Sequence, residues 1–121
     1  MRPLLSKNLQ DFCSRFDNFI DAEFRSIEIL SKDVIRVVIA TQDSSRAYDW
    51  ITITLEFSNV SDAKLLKDDR IALVNMSDGL TIISQNNLFA FGIGNYDNIF
   101  GIKDALSYII SSSIKYKEGQ F

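Results

Sequence analysis

The side chains best suited to acid–base chemistry in this chain are carboxylates, because the sequence contains no histidine. Histidine is the commonest general base and the usual partner of a serine or cysteine nucleophile. Two acidic groups stand out, the adjacent pair Asp68 and Asp69 and the cluster of Asp17, Asp21 and Glu23. Neither follows the spacing of a calcium loop, and charged residues are mostly exposed, so solvated acids at turns and helix ends are the simpler interpretation.

Other reactive groups are equally sparse. One cysteine, Cys13, and no histidine leave no ligand set for structural zinc, so neither a metal nor a cofactor is predicted. Cys13 itself is interpreted as a small buried side chain. The Gly-Ile-Gly at 92–94 lacks the third glycine and the Lys-Ser/Thr of a nucleotide loop, and the serines at 111–113 have no neighbouring base. An enzyme using dispersed carboxylates, lysines and tyrosines stays open, but a non-catalytic protein is favoured.

The composition predicts one domain over residues 1–121, since that length and 46% hydrophobic residues are typical of a single globular unit. The net charge is −3, and the positive charges are scattered, which argues against a nucleic-acid partner because phosphate binders carry a basic patch. The N-terminal residues lack the apolar core of a signal peptide, and no apolar run reaches about 18 residues. A cytoplasmic protein with no membrane partner is therefore predicted.

The N-terminal segment is predicted to be a helix, because its apolar side chains recur at three- and four-residue spacing and so share one stripe. These side chains are Leu5, Leu9, Phe12, Phe16, Phe19 and Ile20. After Asp21 the apolar period changes to two, which predicts strands over 24–30 and 34–41 with a tight turn between them.

The clearest alternation lies at 50–57, where the odd-numbered residues are apolar and predicted to face the core. The side chains predicted to face the other way are Trp50, Thr52, Thr54 and Glu56, with Tyr48 extending the row. The alternation breaks over 58–69, where residues 62–67 fit a short helix or a turn.

Three further strands, at 70–76, 80–85 and 88–93, are predicted to form a meander. Its turns would be Ser-Asp-Gly at 77–79 and Asn-Asn at 86–87, since these residues tolerate positive φ. Residues 94–101 are predicted to be a loop with Tyr96, Ile99 and Phe100 packed inward.

The segment 103–117 fits both a helix and a strand, and its three serines favour a strand from Tyr108 to Lys117 because their hydroxyls compete for backbone groups. The predicted fold class is therefore α+β. An N-terminal helix packs on a mainly antiparallel sheet of six or seven strands with a central meander.

Two surfaces are candidates for binding. The first is the outer row of the central strand, where Tyr48, Trp50 and Glu56 combine the aromatic and acidic residues that anchor interfaces. Alternatively, the N-terminal helix covers Trp50, since large aromatic side chains are usually buried. The second surface is the acidic connection at 62–69, which carries Asp62 and the Asp68–Asp69 pair.

The stretch Phe-Ile-Asp-Ala-Glu-Phe-Arg-Ser-Ile at 19–27, followed by two strands and by Trp-Ile-Thr-Ile-Thr-Leu-Glu-Phe-Ser-Asn-Val at 50–60, resembles a group of small bacterial proteins. That group includes immunity proteins of polymorphic toxin and contact-dependent growth-inhibition systems. The resemblance covers residues 19–60 and implies a cytoplasmic protein that neutralises one cognate toxin by direct binding. Such toxins are frequently nucleases with basic clefts, in which acidic side chains would take the place of phosphates. The partner-binding residues would be Tyr48, Trp50, Glu56, Asp62, Asp68 and Asp69.

A different class of function stays open beside this one. The chain would then be an oligomeric scaffold, with a second copy as partner, or a small-ligand binder with a pocket between helix and sheet.

Overall fold

The computed structural model describes residues 1–121 and has an α+β fold, in which an N-terminal helix packs on a seven-stranded antiparallel sheet. The predicted fold class is confirmed. The strands are β1 (Arg2–Pro3), β2 (Glu23–Ser31), β3 (Val34–Asp43), β4 (Asp49–Lys64), β5 (Leu80–Gln85), β6 (Leu88–Ile93) and β7 (Tyr108–Gln120). The helices are α1 (Leu9–Arg15), α2 (Asp68–Ile71) and α3 (Ile99–Ile102), with 3-10 turns at Ser6–Asn8, Asp17–Phe19 and Ser44–Arg46. None of these helices has the length and apolar character needed to cross a membrane.

The strand order is β2-β3-β4-β7-β6-β5, and every neighbouring pair is antiparallel. Strands β2, β3 and β4 follow one another in sequence and form a meander. Strand β7 joins this meander to the β5–β6 hairpin, and β1 pairs with β7 at Tyr116 and Lys115. Apart from the two-residue β1, the edges of the sheet are therefore β2 and β5.

The N-terminal helix is much shorter than predicted. Helix α1 covers only Leu9–Arg15, because Asp17, Asn18 and Phe19 all have positive φ (52°, 53° and 60°), a backbone conformation that cannot continue a right-handed helix. The middle of the predicted stripe is buried as expected, whereas the side chains at its two ends, Leu5 and Ile20, are exposed.

Strand β4 continues where the sequence predicted a break. It runs for 16 residues to Lys64 because it stays paired with β7 as far as the Lys64–Tyr108 pair. Asn59 has a φ of 56°, and the register with β7 shifts between Val60 and Asp62. This irregularity interrupts the alternation of inward and outward side chains, so the strand shows no continuous period of two in the sequence. The short helix or turn predicted at 62–67 is wrong.

The strand predicted at 70–76 is also wrong. This segment contains the end of α2 and a turn, and its apolar side chains Ile71 and Met76 reach the core from a connection. Its backbone hydrogen bonds outside α2 are local turn bonds and one bond to the N-terminal region, in which the Met76 carbonyl accepts from the Asp21 N–H at 2.8 Å. The predicted three-strand meander is thus a two-strand hairpin, whose Asn86–Asn87 turn has the expected positive φ.

The strand predicted at 108–117 is confirmed and extends to Gln120. The loop predicted at 94–101 is only partly correct, because this segment runs into helix α3. The first turn of α3 is capped by the Asn98 side chain, which accepts a hydrogen bond from the Gly101 N–H at 2.7 Å. Ile99 packs inward as predicted, but Phe100 is 86% exposed.

The two faces of the sheet are covered unequally. The main core lies under α1 on one face, and a small cluster of Ala90, Ile102 and Ile110 lies under α3 at the β5–β6 end of the other. The remainder of this second face, on β3, β4 and β7, carries no helix and is referred to as the open face. Its accessible side chains include Arg36, Val38, Gln42, Trp50, Thr52, Glu56, Lys115 and Lys117.

Candidate functional site

The open face ends in a group of exposed aromatic side chains beside the β3–β4 hairpin. Trp50 is 40% exposed and Phe121 is 60% exposed, and their ring centroids are 5.5 Å apart. The Arg25 guanidinium carbon lies 4.6 Å from the centroid of the Phe121 ring, in cation–π geometry. Trp50, Phe121 and Arg25 are referred to as the aromatic cluster. Tyr48, also exposed, lies in the turn that leads into β4.

Strand register brings the two rings together. Ile51 is paired with Gln120, so the next position outward places Trp50 opposite Phe121. Between them and the rest of the open face lies Gly119, where a Cβ would approach Thr52 Oγ1 to 2.7 Å. The missing side chain at 119 therefore lets Thr52 pack directly against β7.

The alternative that the N-terminal helix covers Trp50 is wrong. The flanking residue Ile51 points into the main core under α1, and successive strand side chains point to opposite faces. Trp50 therefore projects away from α1, toward the open face.

A cleft of about 400 Å³ adjoins the aromatic cluster. Besides Trp50 and Phe121, its lining includes the cation Arg46 and the acids Asp49 and Glu118. Asp49 is exposed and forms no ion pair, whereas Glu118 accepts a hydrogen bond from Arg15 and lies 3.6 Å from Arg46. The cleft thus offers one aromatic wall to a partner, whereas Asp49, as the cross-strand neighbour of Asp43, points to the α1 side of the sheet.

An ion network around one buried carboxylate lies behind the hairpin, on the α1 side of the sheet. The side chain of Asp43, at the end of β3, is 0% exposed and accepts from Arg15 Nε at 2.8 Å and from Arg15 Nη2 at 2.6 Å. Arg46 Nε lies 3.3 Å from the same carboxylate. Hydrogen bonding from Arg15 holds the pKa of Asp43 below its usual value.

The same residue shapes the turn that carries the candidate anchors. Asp43 Oδ1 accepts from the Ser45 N–H at 2.9 Å, and the Asp43 carbonyl accepts from the Tyr48 N–H at 2.8 Å. Arg15 belongs to α1 and Glu118 to β7, so the network ties three separate elements to the hairpin. We infer that it holds Tyr48 and Trp50 in fixed positions.

The six residues predicted from the sequence do not form one surface. Glu56 is on the open face, but its carboxylate pairs with Arg36 at 2.9 Å. Asp62 lies 12 residues beyond Trp50 on β4, roughly 40 Å along the strand at about 3.3 Å per residue. Its carboxylate lies 3.5 Å from Lys103 Nζ and accepts from the Tyr108 hydroxyl at 3.2 Å.

Asp68 and Asp69 lie on the other side of the molecule. They begin α2, whose Ile71 packs into the main core, so they share the α1 face rather than the open face. Both are exposed and neither forms an ion pair. No group of three or more His, Cys, Asp or Glu side chains that could hold a metal ion occurs in the structure.

Sequence reasoning missed Arg25 and Phe121. A sequence signal for Phe121 exists. Lys115, Lys117 and Gly119 face the open face at every second position of β7, and the next position in this two-residue period is 121. Arg25 gives no such signal, since it stands at a register shift between Phe24 and Ser26.

Cys13 is half-buried, packs against the main core and has its pKa raised by burial to about 11. At pH 8 its thiolate fraction is therefore roughly 100-fold or more below that of a free cysteine. We expect alkylation by iodoacetamide at pH 8 to be slower by a similar factor, measured by mass spectrometry against the urea-unfolded chain. Equal rates in the folded and unfolded chain would contradict this assignment.

Comparisons of the chain with protein-family models, curated proteins and solved structures find no match. The aromatic cluster is therefore described from its own geometry.

Proposed function

We propose that this chain is a non-catalytic cytoplasmic binding protein, and that it neutralises a cognate bacterial toxin as an immunity protein. The observation that carries the binding role is the exposed pair of Trp50 and Phe121 rings with Arg25 beside it. Tryptophan and arginine are enriched where the free energy of protein interfaces is concentrated. The toxin as partner is supported by the resemblance of residues 19–60 to immunity proteins.

The supporting structure suits a preformed interface. The Asp43 network fixes the hairpin before a partner arrives, so less conformational entropy would be lost on binding. The two aromatic side chains also have few side-chain torsions left to order. We therefore expect the aromatic cluster to keep its arrangement in the complex.

The net charge of the chain, −3, is compatible with a basic partner such as a nuclease. A net negative charge speeds encounter with a basic partner. The open face itself is not acidic, because it carries Arg36, Lys115 and Lys117 beside Glu56, which is paired with Arg36. The aromatic cluster, rather than an acidic side chain, is therefore the part of this surface to which we assign the binding.

The test begins with the tagged chain, purified from its native host and analysed by mass spectrometry for a bound protein. Trp50→Ala and Phe121→Ala should each weaken binding of that protein by about 30-fold or more, as expected for interface anchors. The matched control is Phe100→Ala, because this ring is even more exposed than Trp50 and Phe121 but lies on α3, at the β5–β6 end of the sheet. It should leave affinity unchanged within about twofold.

Two outcomes would decide against the proposal. Unchanged affinity in both Trp50→Ala and Phe121→Ala would eliminate the aromatic cluster as the interface. Survival of a host that produces the captured partner but lacks this chain would remove the toxin assignment, even if binding were confirmed.

The alternative of a small-ligand binder has one observation in its favour. A cleft of about 580 Å³ lies between α1 and β5, where the sequence predicted a pocket between helix and sheet. The unpaired backbone groups along this cleft favour a different occupant, an extended polypeptide.

A further inference from the structure

Strand β5 has an unpaired edge. The Gly94 N–H donates to the Gly79 carbonyl at 2.9 Å, which sets the phase of the β5–β6 ladder. In an antiparallel pair the bonded residues alternate, so Thr81 and Ile83 direct their backbone groups toward β6. The residues that direct their N–H and C=O groups toward the free edge are Leu80, Ile82 and Ser84. No backbone hydrogen bond outside the sheet involves any of these three.

The two edges of the sheet differ in how they are protected. Strand β2 carries Glu23, Arg25 and Glu28 and has two register shifts, features that hinder pairing with another chain. Strand β5 contains no charged residue, proline or glycine, and its register with β6 is continuous. Of the two edges, only β5 is left able to accept a further strand.

Helix α1 adds a second wall beside this edge. The cleft of about 580 Å³ is lined by Gln10, Cys13 and Ser14 from α1 and by residues 80–84 along β5. Leu80 is buried and Ser84 is exposed, so β5 becomes more accessible toward Ser84. A strand that entered here would contact a helix as well as a sheet edge.

Charge in the cleft is confined to one place. Asp78, an exposed residue two positions before β5, is its only charged lining residue. A complementary occupant therefore has an uncharged stretch along β5 and a lysine or arginine near Asp78. A second copy of this chain pairing through its own β5 does not meet this requirement, since β5 carries no positive charge.

We propose that the cleft between α1 and β5 binds an extended segment of a partner polypeptide, which joins the sheet as an additional strand. The backbone of Ile82 and Ser84 supplies the hydrogen bonds, as in other cases of strand addition to an exposed edge. A compact small molecule would not use donors and acceptors repeated at strand spacing. The site is independent of the aromatic cluster, because β5 and β4 are separated by two strands.

The test uses a phage-displayed library of linear dodecapeptides, panned on the purified chain. Selected peptides are then synthesised and their affinities measured by fluorescence anisotropy. Ser84→Pro removes an outward N–H without breaking the β5–β6 ladder, a position at which proline is tolerated. Ser84→Ala is the matched control, because it removes the same hydroxyl, which lies 2.6 Å from Ser6 Oγ, and keeps the N–H.

The expected result is a loss of affinity of about fivefold or more in Ser84→Pro and a change within about twofold in Ser84→Ala. Should Ser84→Pro fail to fold, Gln10→Arg narrows the cleft from the exposed face of α1 and should weaken the same peptides. Hydrogen exchange of the Ile82 and Ser84 amides should slow at least about tenfold when a peptide binds. The exchange rates of the Thr81 and Ile83 amides, which already point toward β6, should not change.

This proposal would be overturned if the panning enriched no peptide at all. It would also be overturned if the selected peptides bound Ser84→Pro and Ser84→Ala with equal affinity. A dimer in sedimentation experiments that Ser84→Pro dissociates would reassign the edge to a second copy. Trp50→Ala should bind the selected peptides like the unmodified chain, so the outcome here is separate from that for the aromatic cluster.

Discussion

Replacing Asp43 with asparagine is expected to lower the free energy of unfolding by about 3 kcal/mol, the lower end of the range for breaking a buried ion pair. The Asp43 side chain is 0% exposed and accepts two hydrogen bonds from Arg15. An asparagine would present an NH₂ group to a guanidinium that can only donate. We expect the lower end of this free-energy range because Glu118 still accepts a hydrogen bond from Arg15 in the Asp43→Asn variant.

Urea denaturation measures this change, and Asp49→Asn is the matched control. Asp49 is the direct cross-strand neighbour of Asp43 but is exposed and has no ion pair, so its replacement should cost less than about 0.5 kcal/mol. Equal stability of the two variants would show that the network does not stabilise the fold.

The same carboxylate predicts how stability depends on pH. Its folded-state pKa is lowered, chiefly by the hydrogen bonds from Arg15, so the unfolded chain binds the proton more readily. The stabilisation is therefore fully present above about pH 4 and is lost as the pH falls through the lower folded value. Asp43→Asn should flatten the acid side of the stability profile, and an unchanged profile would assign acid unfolding to other groups.

Replacing Gly79 with alanine is expected to cost about 3 kcal/mol or more. Gly79 has a φ of 70°, and a Cβ there would lie 2.1 Å from the Asn18 carbonyl oxygen and 3.0 Å from the Ile20 nitrogen. Both obstacles are backbone atoms, so the turn before β5 and the 3-10 turn at Asp17–Phe19 would have to separate. The melting temperature should fall by roughly 10 °C or more for a domain of this size.

The control for this prediction is Gly101→Ala in α3. Its φ is not positive and a Cβ there would come no closer than 3.4 Å to Asn98 Oδ1, so the melting temperature should change by only about 2 °C or less. A similar shift in both variants would mean that the approach of Gly79 to Asn18 does not constrain the fold.

Local patterns predicted the elements that local physics determines. Alternation over 50–57 and the positive φ of Asn86 and Asn87 follow from strand pleating and turn geometry, and both were correct. The segment 70–76 has the same apolar content as a strand, yet its backbone forms local turns and one hydrogen bond to the N-terminal region rather than a strand ladder. A pattern in one segment does not show whether a partner strand is available to it, so this error could not be found locally.

The candidate site illustrates the same limit. Alternation placed Trp50 outward, but its neighbour Phe121 follows from a register between β4 and β7, strands far apart in the sequence. Glu56 and Asp62 were predicted to contact a partner protein, but in the structure they form ion pairs with Arg36 and Lys103. The exposure of a side chain can be inferred from the alternation of one strand, whereas its contacts with other side chains can be known only when the order and register of all the strands are known.

Strand β7 has a consequence for how the chain is made. It follows β4 and β6 in sequence yet lies between them, so the meander and the β5–β6 hairpin have no common neighbour until residues 108–120 have left the ribosome. Until then β4 and β6 each present an unpaired edge, the kind of surface that recruits chaperones and favours aggregation. Folding is therefore completed after synthesis of this region, at the slow pace of sheets closed by distant segments.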